Sequence, residues 1–500
     1  MTEDCILAID AGTTGVTCLL VDHDGAVRGT GSQDLTQHYP QPGWVEHDAE
    51  EIWNAVLTAC GEALAGSPDL RPVALGIANQ RETMLFWDRR TGEPLHHAIV
   101  WQCRRSAGEC EELRTAGIEP EIVAKTGLRL DPYFSGTKAL WLTRHDDTLA
   151  RRIADGSVCF GTIDSWLAWR LSGGQVHSTD YTNASRTLAF DIDKLDWDDG
   201  LLDVFGLNRS VMPEPGPSGS IRGVTMNAGV IPDGLSIASL VGDQQAALYG
   251  QACFEPGLIK ATYGTGCFIL MSTGRERVHP KHGLLATLAA TAGGDGHRYA
   301  VEGSIYIAGA ALQWCRDNLG LVSSTDEAVR LAASVPDSGG VVFVPAFVGL
   351  GSPYWDSYVR GAMYGLTGAT QLAHILRAAL DSMAFQAQDV LSVMAEESGL
   401  SIAELRVDGG AAANEALMQL QADLAGVPVS RPRSVESTGL GAAFLAGITV
   451  GFWRDEIEVQ TFRREVVRIV PSGRRAIAAE EYERWRTTVS GLLGTRLAPF

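Results

Sequence analysis

Two turns rich in glycine and threonine, one in each half of the chain, have the residue types that bind phosphate. The first is I-D-A-G-T-T-G at residues 9–15, and the second is Y-G-T-G-C-F at residues 263–268. Glycine lets the backbone approach a ligand closely, threonine adds a hydroxyl, and successive backbone N–H groups can surround phosphate oxygens. One such turn alone is more typical of an ordinary hairpin than of a phosphate site. Two of them, about half a chain length apart, predict a duplicated nucleotide-binding core.

The segments around each turn are rich in Val, Ile and Leu, which predicts strand, tight turn and strand. At the first turn the strands are expected at residues 5–10 and 16–21, with Asp10 at the end of the first strand. No G-x-x-x-x-G-K-[S/T] loop occurs in the sequence. The paired turns resemble the phosphate hairpins of the actin, hexokinase and sugar-kinase ATPases, so ATP would bind without a P-loop.

Polar motifs follow two predicted strands at the point where each strand ends. The strand at residues 73–77 leads into N-Q-R-E-T at 79–83, and the strand at 405–407 leads into D-G-G-A-A-A-N at 408–414, followed by a helix to Gly426. Strand ends are where α/β folds carry ligand-binding groups. Other predicted elements are strands at 84–87 and 98–101, a helix at 49–66 with Asp48 as its N-cap, and a helix at 371–398 ended by Gly399.

Length and composition limit the classes of protein to consider. With 500 residues, 45% of them hydrophobic, two large domains are expected, at 1–251 and 252–500. The absence of an apolar run of roughly 18–20 residues and of a basic leader predicts a cytoplasmic protein without stable membrane insertion. A net charge of −20 argues against nucleic acid as a partner. Nine cysteines without a C-x-x-C pair predict neither a disulfide framework nor a zinc site.

Eight stretches resemble the glycerol kinases of the FGGY carbohydrate-kinase family, in the family's order. They are Y-P-Q-P-G-W-V-E-H-D at 39–48, N-Q-R-E-T at 79–83, A-I-V-W-Q-C-R-R at 98–105, D-P-Y-F-S-G-T-K at 131–138, S-T-D-Y-T-N-A-S-R-T at 178–187, G-D-Q-Q-A-A-L at 242–248, Y-G-T-G-C-F at 263–268 and D-G-G-A-A-A-N at 408–414. The resemblance implies an α/β fold of two actin-like, ribonuclease H-like ATPase domains with an interdomain cleft. It also implies transfer of phosphate from ATP to glycerol, giving sn-glycerol 3-phosphate.

The resemblance implies a glycerol site made of hydrogen-bonding side chains and aromatic covers. Its positions are Arg81, Glu82, Trp101, Tyr133, Asp243, Gln244 and Phe268. Glycerol carries three hydroxyls, and a site that hydrogen-bonds each of them rejects analogues that leave its polar groups unpaired. Arg81 offers donors, Glu82 and Asp243 offer acceptors, and the aromatic rings can cover the carbon backbone.

The resemblance also assigns the catalytic, magnesium and ATP positions. Asp243 is expected to be the general base that takes the proton from the attacking glycerol hydroxyl. Asp10, together with Asp243, is expected on the magnesium side, because magnesium prefers oxygen ligands. The expected ATP contacts are Thr13, Thr14, Gly264 and Thr265 at the phosphates, and Gly309, Gln313, Gly410 and Asn414 at the adenosine.

The first hairpin departs from the family's pattern. Relatives usually read D-x-G-T-T-S-x-R, whereas this chain has Gly15 and Thr17 in place of the serine and the arginine. The arginine would help to neutralise phosphate charge. Since magnesium and backbone amides remain, we expect a working kinase with altered nucleotide affinity.

Other interpretations of the same residues stay open. Arg81 and Glu82 could form a structural ion pair, Trp101 and Phe268 could be core aromatics, and Asp243 could cap a helix. The chain could phosphorylate another polyol or a ketose, or it could bind glycerol or nucleotide without catalysis. Relatives often assemble, so a homodimer or homotetramer is possible.

Overall fold

The computed structural model describes residues 2–293, 296–432, 436–463 and 466–495, and they form two compact units. The first unit comprises residues 1–252, 286–299 and 436–463. The second unit comprises residues 253–285, 300–435 and 464–500. Two short segments from the second half of the chain therefore pack into the first unit, and the domain ranges 1–251 and 252–500 stay a prediction.

A six-stranded sheet forms the centre of the first unit. Its strands are, in spatial order, Gly219–Val224, Ser236–Gly242, Leu70–Asn79, Glu3–Ala11, Gly15–Val21 and Val27–Asp34. Leu70–Asn79 runs parallel to both of its neighbours, and the remaining pairs are antiparallel. The predicted strands on both sides of the first turn are confirmed.

The second unit repeats this pattern of strand directions. Its sheet includes, in spatial order, Arg298–Ile305, Cys267–Gly274, Ile259–Tyr263, Leu405–Asp408, Val429–Pro432 and Val466–Ile469. From Cys267–Gly274 onwards the pairs run antiparallel, parallel, parallel and antiparallel. In the first unit, the four strand pairs counted from Gly15–Val21 to Gly219–Val224 are also antiparallel, parallel, parallel and antiparallel. This agreement confirms the duplication predicted from the two turns.

Helices and short strands complete both units. The helices are Ala49–Gly66, Ala107–Thr115, Glu119–Thr126, Ser135–His145, Asp147–Ala154, Ile163–Leu171, Tyr181–Ala184, Asp199–Val204, Asp243–Gly250, Ala310–Asp317, Thr325–Ala332, Leu372–Ser398, Glu415–Ala425, Ser437–Thr449, Glu456–Gln460 and Arg475–Leu492, with 3-10 turns at Arg209–Val211 and Gly410–Ala413. The other strands are Glu46–His47, Met84–Asp88, Ala98–Ile99, Val158–Thr162, Ser178–Asp180, Phe190–Asp191, Asp196–Trp197, Glu214–Gly216, Leu285–Ala289, Val342–Val344 and Ala362–Tyr364.

Local sequence explains the elements that were predicted correctly. Ala49–Gly66 starts where the Asp48 carboxylate accepts a hydrogen bond from the Glu50 backbone N–H at 2.8 Å. Leu372–Ser398 ends at Gly399, which adopts a left-handed conformation with a φ of 65°.

Two predictions of element boundaries were wrong. In each case a side-chain oxygen accepts a hydrogen bond from a backbone N–H group near the boundary. The strand predicted at 98–101 ends at Ile99, and the Trp101 backbone N–H donates to the Thr83 hydroxyl at 3.2 Å. The single helix predicted after residue 408 is a 3-10 turn followed by Glu415–Ala425. Asn414 starts that helix by accepting a hydrogen bond from the Leu417 N–H at 3.0 Å.

The nine cysteines are all buried and unpaired by disulfides. No helix in the described part of the chain has the length and apolar character needed to cross a membrane.

Candidate active site

Asp10 and the turn after it form one side of the candidate site in the first unit. The turn is closed by a hydrogen bond from the Gly12 N–H to the Gly15 carbonyl at 2.9 Å. The Thr14 side chain is exposed, and the Thr13 hydroxyl accepts a hydrogen bond from the Trp101 indole at 2.9 Å. Burial raises the pKa of Asp10 to about 8, and the negative charges of two other carboxylates, Asp243 and Glu436, act in the same direction.

Arg81 lies just beyond the end of strand Leu70–Asn79 and is buried, with 2% of its surface exposed. It donates to the Gln245 side-chain carbonyl at 3.1 Å and to the Tyr133 hydroxyl at 3.4 Å. Its Nε lies 3.3 Å from Oδ1 of Asp243. Three predicted substrate-binding side chains therefore meet, and a planar guanidinium fixes their relative positions.

Glu82 is held in an unusual backbone conformation beside Arg81. Its φ of 60° lies in the left-handed region, which costs a non-glycine residue on the order of 1–3 kcal/mol. Its carboxylate accepts a hydrogen bond from Arg186 Nε at 2.7 Å, and both side chains are buried. The Arg186 guanidinium also lies over the Phe134 ring, 5.2 Å from its centroid. The strained backbone and the buried ion pair fix the direction of the Glu82 carboxylate.

The remaining predicted substrate-binding residues differ in their surroundings. Trp101 packs edge-on against Tyr133, with ring centroids 5.6 Å apart. Gln244 is half-buried, and its backbone N–H donates to Oδ1 of Asp243 at 2.7 Å. Phe268 belongs to the second unit, where it lies opposite Thr262 in a strand pair. Six of the seven predicted residues are thus in the first unit.

Sequence reasoning missed a layer of buried residues behind these side chains. Asp180 accepts hydrogen bonds from the Thr182 N–H and hydroxyl, from the Asn183 N–H and side-chain amide, and from the Ser218 hydroxyl, at 2.6–3.0 Å. The Thr182 hydroxyl accepts from the Gly242 N–H at 2.8 Å, directly before Asp243.

A second contact of this layer reaches the loop that carries Arg81. Asn183 and Asn79 exchange two amide hydrogen bonds, at 2.9 and 3.0 Å. The segment 178–187 carries a run of hydroxyl and amide residues, and that run is the signal in the sequence that could have indicated this layer.

The second unit contains a cavity of about 490 Å³ lined by glycines, a few polar side chains and an apolar wall. All six ATP-contact residues predicted in this unit line it: Gly264, Thr265, Gly309, Gln313, Gly410 and Asn414. The apolar wall consists of Leu312, Val329, Leu380 and Met383. The side-chain nitrogen of Asn414 is buried and has no hydrogen-bond partner among the described residues. Thr13 and Thr14, the other two predicted contacts, belong to the first unit.

The donor set fits a magnesium ion that arrives with its nucleotide better than a resident metal. No group of three or more His, Cys, Asp or Glu side chains within the described ranges is arranged to hold a metal. Asp10 and Asp243 are close enough for the charge of Asp243 to raise the pKa of Asp10. Magnesium commonly takes one or two carboxylates and completes its shell with phosphate and water oxygens.

Comparison with known proteins places this arrangement in a family. Residues 5–250 match the N-terminal domain of the FGGY family of carbohydrate kinases, and residues 259–450 match its C-terminal domain. The chain belongs to the FGGY family of carbohydrate kinases. It is therefore a kinase, and members of this family use ATP. The predicted family resemblance is confirmed.

Named relatives of this FGGY chain extend over nearly its whole length. The glycerol kinase of Carboxydothermus hydrogenoformans is 49% identical over 494 residues, covering 98% of each chain. The glycerol kinase of Dechloromonas aromatica is 51% identical over 473 residues, covering 94% of each. The crystal structure of Plasmodium falciparum glycerol kinase with ADP is 34% identical, covers 99% of both chains and has a TM-score of 0.91. The predicted α/β fold of two actin-like domains is confirmed.

Proposed function

We propose that this protein catalyses the phosphorylation of glycerol by ATP, giving sn-glycerol 3-phosphate. The observation that carries the proposal is the buried cluster in which Arg81 contacts both the Tyr133 hydroxyl and the Asp243 carboxylate, with Glu82 beside it. Such a cluster suits a small ligand with several hydroxyls, because its donors and acceptors are fixed before binding. Relatives named glycerol kinases, about 50% identical over nearly the whole chain, support the same substrate.

In this proposal the hydroxyls of glycerol exchange hydrogen bonds with Arg81, Glu82, Asp243 and Gln244. The ring of Trp101 covers part of the carbon backbone, and its edge-on contact with Tyr133 keeps the ring in place. We also propose Phe268 for this covering role. A ketose or a longer polyol would leave some of these polar groups unpaired, which is the physical basis of discrimination.

Asp243 is the proposed general base. It takes the proton from the terminal hydroxyl of glycerol while that oxygen forms a bond to the γ-phosphorus and the bond to the β-γ bridging oxygen breaks, releasing ADP. The ion pair with Arg81 and the hydrogen bond from the Gln244 N–H hold the carboxylate in position. The chain of contacts from Asp180 through Thr182 to Gly242 supports it from behind.

ATP is proposed to bind with its adenosine in the cavity of the second unit. The apolar wall suits the adenine ring, and Asn414 has a buried amide without a partner among the described residues that could donate to it. Thr13, Thr14, Gly264 and Thr265 are the proposed phosphate contacts. Magnesium, when bound, neutralises phosphate charge, and Asp10 and Asp243 are the residues that would hold it.

The altered first hairpin leads us to expect a nucleotide affinity different from that of relatives. Thr17 pairs directly with Asp10 across two antiparallel strands. The family's arginine would therefore stand beside this carboxylate, and threonine brings no charge to the position. Backbone N–H groups and magnesium then carry more of the phosphate charge.

We further propose that the protein acts in the cytoplasm as a homodimer or homotetramer. Nine buried cysteines without disulfides fit a reducing compartment. The net charge of −20 disfavours nucleic acid as a partner. Light scattering after size-exclusion chromatography measures the assembly state.

The test is ADP release from magnesium-ATP with glycerol, erythritol, xylulose, dihydroxyacetone or no acceptor, in the wild type and in Asp243→Asn. We expect turnover that requires glycerol, and a loss of about 10²–10⁴-fold in the variant because its amide cannot accept the proton. Asp203→Asn, at an exposed helix position, is the matched control and should keep wild-type activity. Preference for another acceptor, or binding without turnover, would contradict the proposal, and full activity of Asp243→Asn would remove the general-base role.

A further inference from the structure

Gln80 connects the first hairpin to the loop that carries Arg81 and Glu82. Its side chain is buried, with 1% exposed, and its Nε2 donates to the Gly12 carbonyl at 3.1 Å. Its backbone N–H donates to the Ala11 carbonyl at 2.8 Å. One residue therefore touches two successive positions of the turn that follows Asp10.

Thr83 extends this connection to the loop that carries Trp101. Its hydroxyl donates to the Gln80 side-chain carbonyl at 2.8 Å and accepts from the Trp101 backbone N–H at 3.2 Å. The Trp101 indole in turn donates to the Thr13 hydroxyl at 2.9 Å. This series of hydrogen bonds therefore starts at Gly12 of the hairpin and ends at Thr13 of the same hairpin. We call Gln80, Thr83 and Trp101, with the two hairpin residues, the hydrogen-bonded ring.

The orientation of the Gln80 amide is fixed by what surrounds it. Nε2 faces the Gly12 carbonyl and Nδ1 of His47, the latter at 3.3 Å, and Oε1 faces the Thr83 hydroxyl. Burial lowers the pKa of His47 to about 4, so its ring is neutral at physiological pH and Nδ1 can accept. Turning the amide over would put its oxygen against the Gly12 carbonyl, which can only accept. The ring therefore has one arrangement of donors and acceptors.

We propose that Gln80 and Thr83 are positioning residues that couple the glycerol site to the phosphate hairpin. The inference rests on the proposed function, because it takes glycerol and ATP as the two ligands. Residues 80 and 83 flank Arg81 and Glu82 in the chain, so a glycerol molecule that orders this loop also orders Gly12 and Thr13. Bound nucleotide orders the same ring from the hairpin side, and each ligand therefore raises the affinity for the other.

The experiment compares Thr83→Val, which has nearly the same shape but lacks the hydroxyl, with Thr83→Ser, which keeps it. The dissociation constant of a non-hydrolysable ATP analogue with magnesium is measured by calorimetry, with and without saturating glycerol. The ratio of the two constants is the coupling factor, and typical values lie between about 5 and 150. We expect a factor in this range for the wild type and Thr83→Ser, and a factor close to one for Thr83→Val.

Controls separate this inference from a general loss of structure. Thr58→Val, at an exposed helix position, makes the same exchange away from the ring and should keep the wild-type factor. Thermal unfolding checks that each variant folds. If Thr83→Val does not fold, Gln80→Met replaces it, because it removes the Thr83–Gln80 hydrogen bond from the other partner together with the contact to the Gly12 carbonyl. If Thr83 had only a structural role, Thr83→Val would raise the dissociation constants with and without glycerol by the same factor. The coupling factor would then be unchanged.

Two results would overturn the coupling role. One is a wild-type protein that turns over glycerol with a coupling factor of one, and the other is a folded Thr83→Val that keeps the wild-type factor. Both leave the proposed function intact, because glycerol-dependent turnover is measured separately. A wild type that neither binds nor phosphorylates glycerol would instead remove the proposed function, and the coupling role with it.

Discussion

The candidate glycerol site in the first unit and the cavity in the second unit are built in opposite ways. In the first, charged side chains are buried and tied to one another, as in the contacts of Arg81 with Asp243 and of Arg186 with Glu82. In the second, glycine backbone and apolar side chains form most of the lining, and among the described residues that line it Asp326 is the one with a charged side chain.

The proposed ligands explain this difference. Glycerol is small and carries a hydroxyl on each of its three carbons, so its recognition depends mainly on donors and acceptors whose positions are fixed by a second layer of hydrogen bonds. An adenosine group is large and flat, and a shaped cavity with close backbone approach suffices to bind it. Damage to the first region should therefore affect stability and glycerol binding together. A change in the second region should affect nucleotide affinity alone wherever the added group has room in the folded chain.

The largest expected effect comes from Arg186→Met in the first region. The change leaves the Glu82 carboxylate buried without the guanidinium that now donates to it at 2.7 Å. Breaking a buried ion pair from one side costs about 3–5 kcal/mol of unfolding free energy. We also expect kcat/KM for glycerol to fall by on the order of 100-fold or more, because the carboxylate loses its orientation. Denaturant unfolding and steady-state kinetics measure the two effects.

A surface pair supplies the control for this variant. Arg144 pairs with Glu112 at 2.7 Å, and both side chains are largely exposed. Arg144→Met should cost less than about 1 kcal/mol and leave the kinetics unchanged. If Arg186→Met were no more harmful than Arg144→Met, the interdependence claimed for the first region would be wrong.

The importance of Arg186 also shows where sequence reasoning reaches its limit. Arg81 and Glu82 stand together in one motif, and the helix at 49–66 carries its own cap and apolar spacing, so local patterns sufficed to predict both. Arg186 lies about 100 residues further along the chain, and only the fold brings it to Glu82. A local pattern gives no sign of such a partner.

Gln245 illustrates a second limit of the same kind. Gln244 stays a predicted glycerol-site residue, whereas its neighbour Gln245, which sequence reasoning did not single out, is the fully buried residue that accepts a hydrogen bond from Arg81. Asp243 begins a helix, so successive side chains point in different directions, and the start of that helix decides which glutamine faces inwards. The sequence alone does not fix that direction, so the contact between Gln245 and Arg81 could not be predicted from it.

The second expected effect is a pH dependence of stability from Asp164, which lies beneath the first region. Its carboxylate accepts from the hydroxyls of Thr162 and Thr179 at 2.5 and 2.7 Å. Burial raises its pKa from 3.8 to about 6, helped by the charge of Asp180. The folded state therefore binds more protons than the unfolded state between these values, and this group's contribution to stability falls as the pH rises from about 4 to about 6.

Asp164→Asn removes this titration while keeping an acceptor oxygen. The unfolding free energy of the wild type, relative to the variant, should fall by on the order of 3 kcal/mol between pH 4 and pH 7. Denaturant titrations at several pH values measure the difference. A difference for Asp164→Asn that does not change with pH would mean that this carboxylate does not titrate in the expected range.

The smallest and most selective effect is expected from Gly410→Ala in the second region. A Cβ added at Gly410 would meet no heavy atom within 4 Å, so the folded chain has room for it. Because the residue lines the cavity, the methyl group can hinder only a ligand that approaches this backbone closely. We expect the KM for ATP to rise by up to about tenfold, equivalent to about 1.4 kcal/mol, with the KM for glycerol and the unfolding free energy unchanged.

Gly309→Ala provides the opposite case within the same cavity. Its added Cβ would lie 2.7 Å from the Gly264 carbonyl oxygen, so this variant should lose stability as well as nucleotide affinity. Steady-state kinetics and denaturant unfolding on both variants separate ligand contact from packing. If Gly410→Ala left the KM for ATP unchanged, the nucleotide would not approach this edge of the cavity. The lining has few side chains that would bind a ligand through specific atoms. Gly410 is therefore a position at which nucleotide binding can be altered without disturbing the fold.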